Sequence, residues 1–469
     1  MKKLKILLLS PPSETGYSHL VAPIGLCYLS ANLKKYGFDS KVWDFAGMNE
    51  EKIKSILLEE KPDIVGIPCL TIERGMSYKL AKLVKTLFPE CIIIFGGQHA
   101  SLFPEQMFIL APIDYVVLYE GDHTLVELVR AITENEDITI IKGIAYRQGH
   151  KITLTLRRQL EQDIDSFPVP DYSNITFSNY ISPAFNGDFI PIMSSRGCPY
   201  GCAFCSSSPY WEKRFRARSA ENVLKEIRYY VKKYHTYNIF FYDDNFIIDK
   251  KRLIKICKGI IKMHKKIRFS IAASVRIIDD ERVYWLKKAG CIGIGFGMES
   301  GSNIILKNID KPQTKEEIRR AYMLVKNYHI DVGGSLIVGS PGETKETIKE
   351  TADLLNEILP EKLSYGGIMW ILPGTKIYDL AKQKKLVNDS IWLKTNEEIY
   401  YTAEHTLKEL EHLQILLLYY QAKKRPLKQK IEFLKWYVYL KVPKFVKFFL
   451  RKIYYQLKYV AKARNTEKK

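Results

Sequence analysis

Short apolar runs alternate with amphipathic stretches over the first 130 or so residues. The runs are Ile6–Leu9, Lys41–Asp44, Ile64–Ile67, Cys91–Phe95 and Tyr115–Leu118, each about the length of a buried strand. Between them lie Ile24–Tyr36, Glu51–Glu60, Arg74–Leu87, Pro104–Leu110 and Thr124–Thr133, whose apolar residues recur three or four apart, the helical spacing. Five strands alternating with about five helices predict an α/β doubly wound, Rossmann-like or flavodoxin-like domain on a parallel sheet.

The alternation resumes from Phe189. Strands are expected at Ile190–Ser194, Asn238–Tyr242, Phe269–Ala273, Ile292–Met298, Val332–Val338 and Tyr365–Ile371. Helices are expected at Ala220–Tyr234, Lys250–Met263, Asp279–Ala289, Lys315–Tyr328 and Lys345–Leu359. Six strand–helix units are too few for a closed eight-unit barrel and suit an open partial (β/α)6 TIM barrel. The proline-rich stretch Asp163–Tyr172 reads as a hinge. The expected organisation is therefore a domain over residues 1–140, a linker over 141–180, the partial barrel over 181–380 and a helical C-terminal region over 381–469. Within that last region Leu407–Tyr420 is apolar enough to cover the open barrel end, and reads as core.

Composition narrows this picture only slightly. With 469 residues, 46% hydrophobic and 26% charged, the chain is long enough for two or more cores, and collagen-like or disordered classes are excluded. No run of 18 uncharged apolar residues occurs, so no spanning helix is expected. The N-terminal apolar stretch runs into Pro11-Pro12 and reads as a buried strand, not a signal peptide, which makes a cytoplasmic location the expectation.

Charge is uneven. The net charge is +20, yet residues 421–469 hold 16 basic and 2 acidic side chains, so that segment accounts for +14 of it. Ten aromatics sit among those positive charges. Over Lys441–Val460 the residues Val442, Phe445, Val446, Phe449, Leu450, Ile453 and Leu457 fall on one helical face, opposite Lys444, Lys447, Arg451 and Lys458. Three readings are open: a helix at an anionic membrane surface, a helix packed on the barrel with a solvated basic face, and, least favoured, a nucleic-acid contact.

The chemistry concentrates in one place. Of eight cysteines, only Cys198, Cys202 and Cys205 are clustered, in Cys198-Pro-Tyr-Gly-Cys202-Ala-Phe-Cys205 directly after the first barrel strand. A structural zinc site closes with four ligands, and the nearest other candidate is His235. Three thiolates suit a 4Fe-4S cluster with one iron open to an exogenous ligand, and the spacing differs from the four-cysteine ferredoxin run.

This cysteine pattern resembles that of the radical S-adenosylmethionine enzymes. The resemblance implies that the three cysteines hold the cluster, and that the methionine end of S-adenosylmethionine chelates the open iron. One electron then cleaves the carbon–sulfur bond, and the 5'-deoxyadenosyl radical abstracts hydrogen from an unactivated position. It implies further that Phe204 packs the adenine and that Tyr242 and Asp243, in Tyr242-Asp-Asp-Asn-Phe246, meet the methionine amino group. By the same resemblance Arg276 partners the carboxylate, Glu299 the ribose hydroxyls, and Ser335, in the segment ending at Glu343, the adenine edge. Glu343 itself is expected to cap the next helix.

The first domain resembles the cobalamin-binding class of these enzymes. Ligands of doubly wound sheets sit at the carboxyl ends of the strands. The residues found there are Pro12 and Gly25, Thr71, Gly97 and His99, and Glu120, Gly121 and Thr124. These are the expected cobalamin contacts. The Asp-x-His-xx-Gly cobalt-ligand signature is absent: His19, His99 and His123 lack its spacing, and His99 is expected to bond backbone or a corrin side chain. The RNA methylthiotransferases share this architecture with three more cysteines, but the flanks of Cys27, Cys69 and Cys91 do not match theirs, and these residues, like Cys257 and Cys291, read as small hydrophobes.

The expected function is thus C-methylation of a small or lipid-like substrate, with an electron donor such as flavodoxin or ferredoxin. The rivals are an oxidative cyclase of the anaerobic magnesium-protoporphyrin ester type and a non-catalytic sensor. An open iron site argues against the sensor.

Overall fold

The computed structural model describes residues 4–13, 22–180, 182, 184, 185, 187–361, 366–394, 398–427, 430, 431, 434, 437 and 438. The Lys441–Val460 helix expectation and His19 lie outside the described residues. The chain divides into two units by its internal contacts, one holding the first 181 residues with Asp389–Glu398, the other holding Ser182–Asn388 and Ile399–Leu450.

In the first unit the apolar runs become strands β1 (Ile6–Ser10), β2 (Ser40–Asp44), β3 (Ile64–Pro68), β4 (Ile92–Gly96) and β5 (Tyr115–Val117), paired in parallel in the order 2-1-3-4-5. Residues Ile6–Leu9 are all buried, as a parallel strand covered on both faces requires. Helices Ile24–Lys35, Glu50–Glu60, Arg74–Leu87, Gln98–Leu102 and Pro104–Leu110 connect them and Gly121–Glu134 follows β5, Glu50–Glu60 starting where the Asn49 side chain accepts from Lys52 N. The order reverses between β1 and β3, and ligands bind at such a switch point.

The expected linker is different. Residues 141–180 belong to this unit: β6 (Ile144–Gln148) and β7 (Lys151–Leu154) form an antiparallel hairpin that extends the sheet beyond β5. The hairpin was hidden because β7 has no buried residue, so its alternation carries no apolar run. The supposed hinge is also packed: Tyr172 is buried, Asp171 N donates to Cys27 O at 2.9 Å, and the Asp171 carboxylate takes Lys34 Nζ at 2.6 Å.

The second unit is an all-parallel six-stranded sheet flanked by a small ladder. Its strands are β8 (Ile190–Ile192), β11 (Asn238–Phe241), β12 (Arg268–Ala273), β13 (Cys291–Glu299), β14 (Asp331–Val338) and β15 (Gly367–Ile368), adjacent in chain order; β9 (Ser195–Arg196) and β10 (Arg216–Ala217) pair separately. This is the expected open half-barrel. Helix Leu407–Ala422 lies against β14, β15 and helix Lys345–Ile358, with Leu410, Leu413, Leu417 and Leu418 buried, so it is core at the sheet edge.

Strand alternation sorts the sheet into two unlike faces. One face buries Ile239, Phe241, Phe269, Ile271, Ile294, Phe296, Met298, Val332 and Val338. The other carries Ala272, Gly295 and Gly333 in one cross-strand row and Gly297 beside Ser335 in the next. Closed barrels fill such rows with Val, Ile and Leu. Here the rows are small, and Gly295, Gly333 and Ser335 stay exposed.

Candidate active site

The cysteine loop begins where β9 ends. Gly197 takes φ +81°, and a Cβ there would stand 2.2 Å from Arg214 O, so only glycine turns the chain into the loop. Ala203 then pins it at both backbone atoms, N to Ile309 O at 2.9 Å and O from Ile377 N at 3.0 Å. The three thiols flanking this anchor are half-exposed, whereas Cys27, Cys69, Cys91, Cys257 and Cys291 are buried. Burial pushes the Cys198 thiol up to about 11 and raises Cys202 and Cys205, and the neighbouring thiols add to the rise at Cys198 and Cys202.

Among the described residues no three His, Cys, Asp or Glu side chains gather as ligands of a single ion. The thiols nevertheless feel one another electrostatically. Donors that bind three different irons of a cubane stand farther apart than donors on one ion, and no fourth ligand is needed. The donor set therefore fits a 4Fe-4S cluster better than zinc.

A buried ion pair lies beside these thiols. Glu299, at φ +61° in the bulge ending β13, accepts from Lys311 Nζ at 3.1 Å and from Ser335 Oγ at 3.2 Å. Gln313 fixes the bulge, its Nε2 donating to Gly297 O at 3.0 Å and Met298 O at 2.9 Å. Lys311 Nζ stands 5.8 Å from the Phe204 ring, and its charge lowers the Cys202 and Cys205 thiols against their burial. Sequence reading missed Lys311, which stands alone in a polar loop with no periodicity to mark it. Its distance of twelve residues from Glu299 was the one available signal.

The acids after β11 separate. Asp243, expected at the methionine amino group, is buried and accepts from Ser194 N at 2.6 Å, Ser195 N at 2.9 Å and Ser194 Oγ, so its carboxylate ties β11 to the β8–β9 connection. Asp244, which accepts from Ser207 Oγ at 2.7 Å, is the acid that raises Cys198 and Cys205. Tyr242 is half-buried, with its N donating to Ile192 O at 2.8 Å. Arg276 is exposed after β12, where its charge lowers the Tyr200 hydroxyl of the cysteine loop against burial.

Glu343 does not cap the helix. The cap is Thr344, in a capping box with Thr347, and Glu343 accepts from Thr347 Oγ1 at 2.6 Å. Burial pushes the Glu343 carboxyl up to about 7. A raised folded value favours the protonated fold, so this stabilisation is complete below the unfolded value near 4.5 and is lost as pH rises through 7. Glu343→Gln removes the dependence: across that window the parent loses up to about 3 kcal/mol relative to the variant, read as denaturant midpoints between pH 5 and 8.

In the first unit the strand-end residues divide likewise. Gly97 (φ +92°) lies where a Cβ would be 3.2 Å from Cys69 O, and Cys69 N donates to Gly96 O at 2.7 Å, so the β3 and β4 loops are laced together. Thr71, on the first, meets His99 Nδ1 at 3.2 Å. His99 is fully buried with its ring 5.7 Å from those of Phe103 and Trp392, and burial lowers it to about 3, which keeps it neutral. Its partner is thus a side chain rather than backbone.

The β5 loop departs from expectation. Glu120 is buried and accepts from Glu161 N at 2.9 Å; Thr124 donates to Lys142 O at 3.2 Å and accepts from Arg158 Nε at 2.8 Å. A Cβ on Gly121 would lie 3.2 Å from Val117. Glu120 and Thr124 thus pack against the chain that follows β5 and β7, whereas half-buried Gly121 opens the next helix at the end of β5. His123 is paired with Glu161 at 3.2 Å. Among the described residues, those left at the ends of β1, β3 and β4 are half-buried Pro12, Thr71 and Gly97, exposed Leu70, and exposed Gly25 with nothing within 4 Å of its Cβ position. Small and apolar side chains at these positions fit a broad ring such as a corrin.

Two family models match in the same order. Residues 17–129 match the B12 binding domain, and residues 192–355 match the Radical SAM superfamily. The chain is 32% identical over 424 residues to an uncharacterized methyltransferase, PH0819, of Pyrococcus horikoshii, covering 88% of this chain and 89% of that one. It is 28% identical to the anaerobic magnesium-protoporphyrin IX monomethyl ester cyclase of Rubrivivax gelatinosus, covering 77% of this chain and 67% of the cyclase. The solved radical S-adenosylmethionine methyltransferase TsrM of Kitasatospora setae, with cobalamin and a [4Fe-4S] cluster bound, has the same fold: TM-score 0.70 at 19% identity, over 83% of this chain and 79% of that chain.

With these matches, the half-barrel carrying three half-exposed thiols on its first loop is that of an S-adenosylmethionine-cleaving iron–sulfur enzyme, and the 2-1-3-4-5 sheet before it is a corrin-binding domain. The chain belongs to the cobalamin-dependent radical S-adenosylmethionine family, whose members include methyltransferases and cyclases.

Proposed function

We propose that this protein methylates an unactivated carbon of a small or lipid-like molecule. The observation that carries the reading is the small-residue face of β12, β13 and β14, which leaves room for an organic substrate next to the Lys311–Glu299 pair. When bound, the cluster supplies the electron that cleaves S-adenosylmethionine and cobalamin supplies the methyl group.

The chain's own residues bind and orient. Cys198, Cys202 and Cys205 hold the cluster, and the Ala203 anchor keeps their loop in register with the strand ends. Phe204 offers a face to the adenine, and Ser335 lies toward its edge. Glu299, fixed by Lys311, accepts from the ribose hydroxyls. Exposed Arg276 takes the carboxylate. Asp244, with Tyr242 beside it, replaces Asp243 as the acid for the amino group. Pro12, Gly25, Thr71 and Gly97 border the corrin. A flavodoxin or ferredoxin delivers the electron. The cyclase reading is kept by the 28% identity to the Rubrivivax gelatinosus enzyme over most of its length.

The test is anaerobic. Reconstituted protein with cobalamin, reductant, S-adenosylmethionine and a candidate substrate is expected to yield 5'-deoxyadenosine and S-adenosylhomocysteine together with a methylated product. Deoxyadenosine with a ring-closed, unmethylated product would replace this reading with the cyclase.

A further inference from the structure

Arg425 is buried, its guanidinium donating to Pro360 O at 2.7 Å and Leu355 O at 3.3 Å, which fixes the chain just after helix Leu407–Ala422. Pro426 disfavours helical backbone at Arg425 and separates that helix from the next helical segment. Beyond it the described positions 427, 430, 431, 434, 437 and 438 are all helical, and every one is exposed.

The aliphatic members share one side, with Tyr437 exposed beside them. Leu427 is 75% exposed, Ile431 48%, Leu434 57% and Val438 51%. At the helical period these four lie within an arc of about 60°. The preceding helix buries four of its six leucines, so the change at Pro426 is from a core helix to described aliphatic residues that are all exposed. Four large aliphatic side chains in one exposed row call for an occupant.

Charge decides which. Lys423, Lys424 and Lys430 are exposed around the row, and residues 421–469 hold 16 basic side chains against 2 acidic. A second copy would bring the same excess against itself. Nucleic acid engages lysines together with aromatic faces, whereas aliphatic Leu, Ile and Val gain little from phosphates or bases. An anionic bilayer meets both features, with acyl chains for the aliphatic row and headgroups for the lysines.

We propose that the exposed aliphatic row Leu427, Ile431, Leu434 and Val438 docks the enzyme on an anionic lipid surface. The inference stands on this segment alone and is independent of the reaction. Flotation of the full chain with phosphatidylcholine vesicles, with and without phosphatidylglycerol, tests it against the variant Leu427→Gln, Ile431→Gln, Leu434→Gln and Val438→Gln. The expected result is binding to the anionic vesicles only, weakened by salt, and reduced about tenfold or more in the variant at an unchanged melting temperature. Because the four positions are exposed, the variant folds. No binding to anionic vesicles overturns the proposal, as does equal binding by the variant, which would leave charge alone responsible. Two further results overturn it in favour of another occupant: a parent dimer in light scattering that the variant dissolves, and binding of single-stranded RNA in place of vesicles.

Discussion

Cys205→Ala is expected to leave the fold intact and abolish deoxyadenosine formation, by at least about a thousandfold. The thiol is half-exposed on a loop whose position is set by the Ala203 backbone, Gly197 and the β9–β10 ladder, none of which the substitution touches. Removing it costs the chain little apolar burial, so the melting temperature changes little. It does remove one of only three donors, and no neighbouring His or Cys can substitute: His235 is the C-cap of helix Ala220–Tyr234, and the remaining cysteines are buried. Iron and sulfide analysis after reconstitution, with the electron paramagnetic resonance signal of the reduced protein, reads the loss directly. Cys257→Ser is the informative contrast. That thiol is fully buried among apolar residues, and a hydroxyl left there without a partner costs about 1–3 kcal/mol. Its cluster content is expected to match the parent's while its stability falls. If both variants lost the cluster equally, the three-thiol assignment would fail.

The difference between these cysteines was legible in the sequence, because three thiols on one turn cannot all be core while single thiols in apolar runs can. The strands were legible for the same reason: Ile6–Leu9 and Ile64–Ile67 are uninterrupted apolar runs, which a strand covered on both faces requires. The β6–β7 hairpin was not, because the edge strand β7 buries no residue and β6 buries only its first three, which leaves no alternation to read. The consequence reached the site. Once the chain after β5 was read as a linker, Glu120 and Thr124 remained free in the reading to meet a corrin. In the structure Glu161, Arg158 and Lys142 engage them. Asp243 and Asp244 illustrate a second limit. Adjacent acids point in different directions, and which one faces the thiols depends on the serines of another strand, a tertiary fact that the dipeptide does not encode.

The glycines of β13 and β14 show what a pattern read only for its apolar half leaves out. In strand alternation the glycines are gaps, and as gaps they predict nothing. Folded, they are the floor of the proposed substrate space. A Cβ on Gly297 would lie 2.6 Å from Glu299 Oε1 and 2.8 Å from Lys311 Nζ, whereas at Gly333 nothing lies within 4 Å. Two substitutions on neighbouring strands therefore have different expected outcomes. Gly297→Val drives the ion pair from its place. Glu299 and Lys311 are held by Ser335 and the Gln313-braced bulge, so the pair has little freedom to retreat without misplacing its carboxylate. A displacement near 1 Å at a positioning group costs about a hundredfold in rate, and S-adenosylmethionine binding and cleavage are both expected to fall by about that factor. The Cβ of Gly333→Leu meets no atom and stands apart from the pair, so S-adenosylmethionine binding, measured by calorimetry on the reconstituted protein, is expected to stay at the parent's value. Its side chain instead fills the exposed side of the sheet. Deoxyadenosine is then produced without product from a bulky substrate, and the ratio of the two reports the lost space. Parallel loss of cofactor binding in both variants would mean that this face holds S-adenosylmethionine alone and that the substrate lies elsewhere.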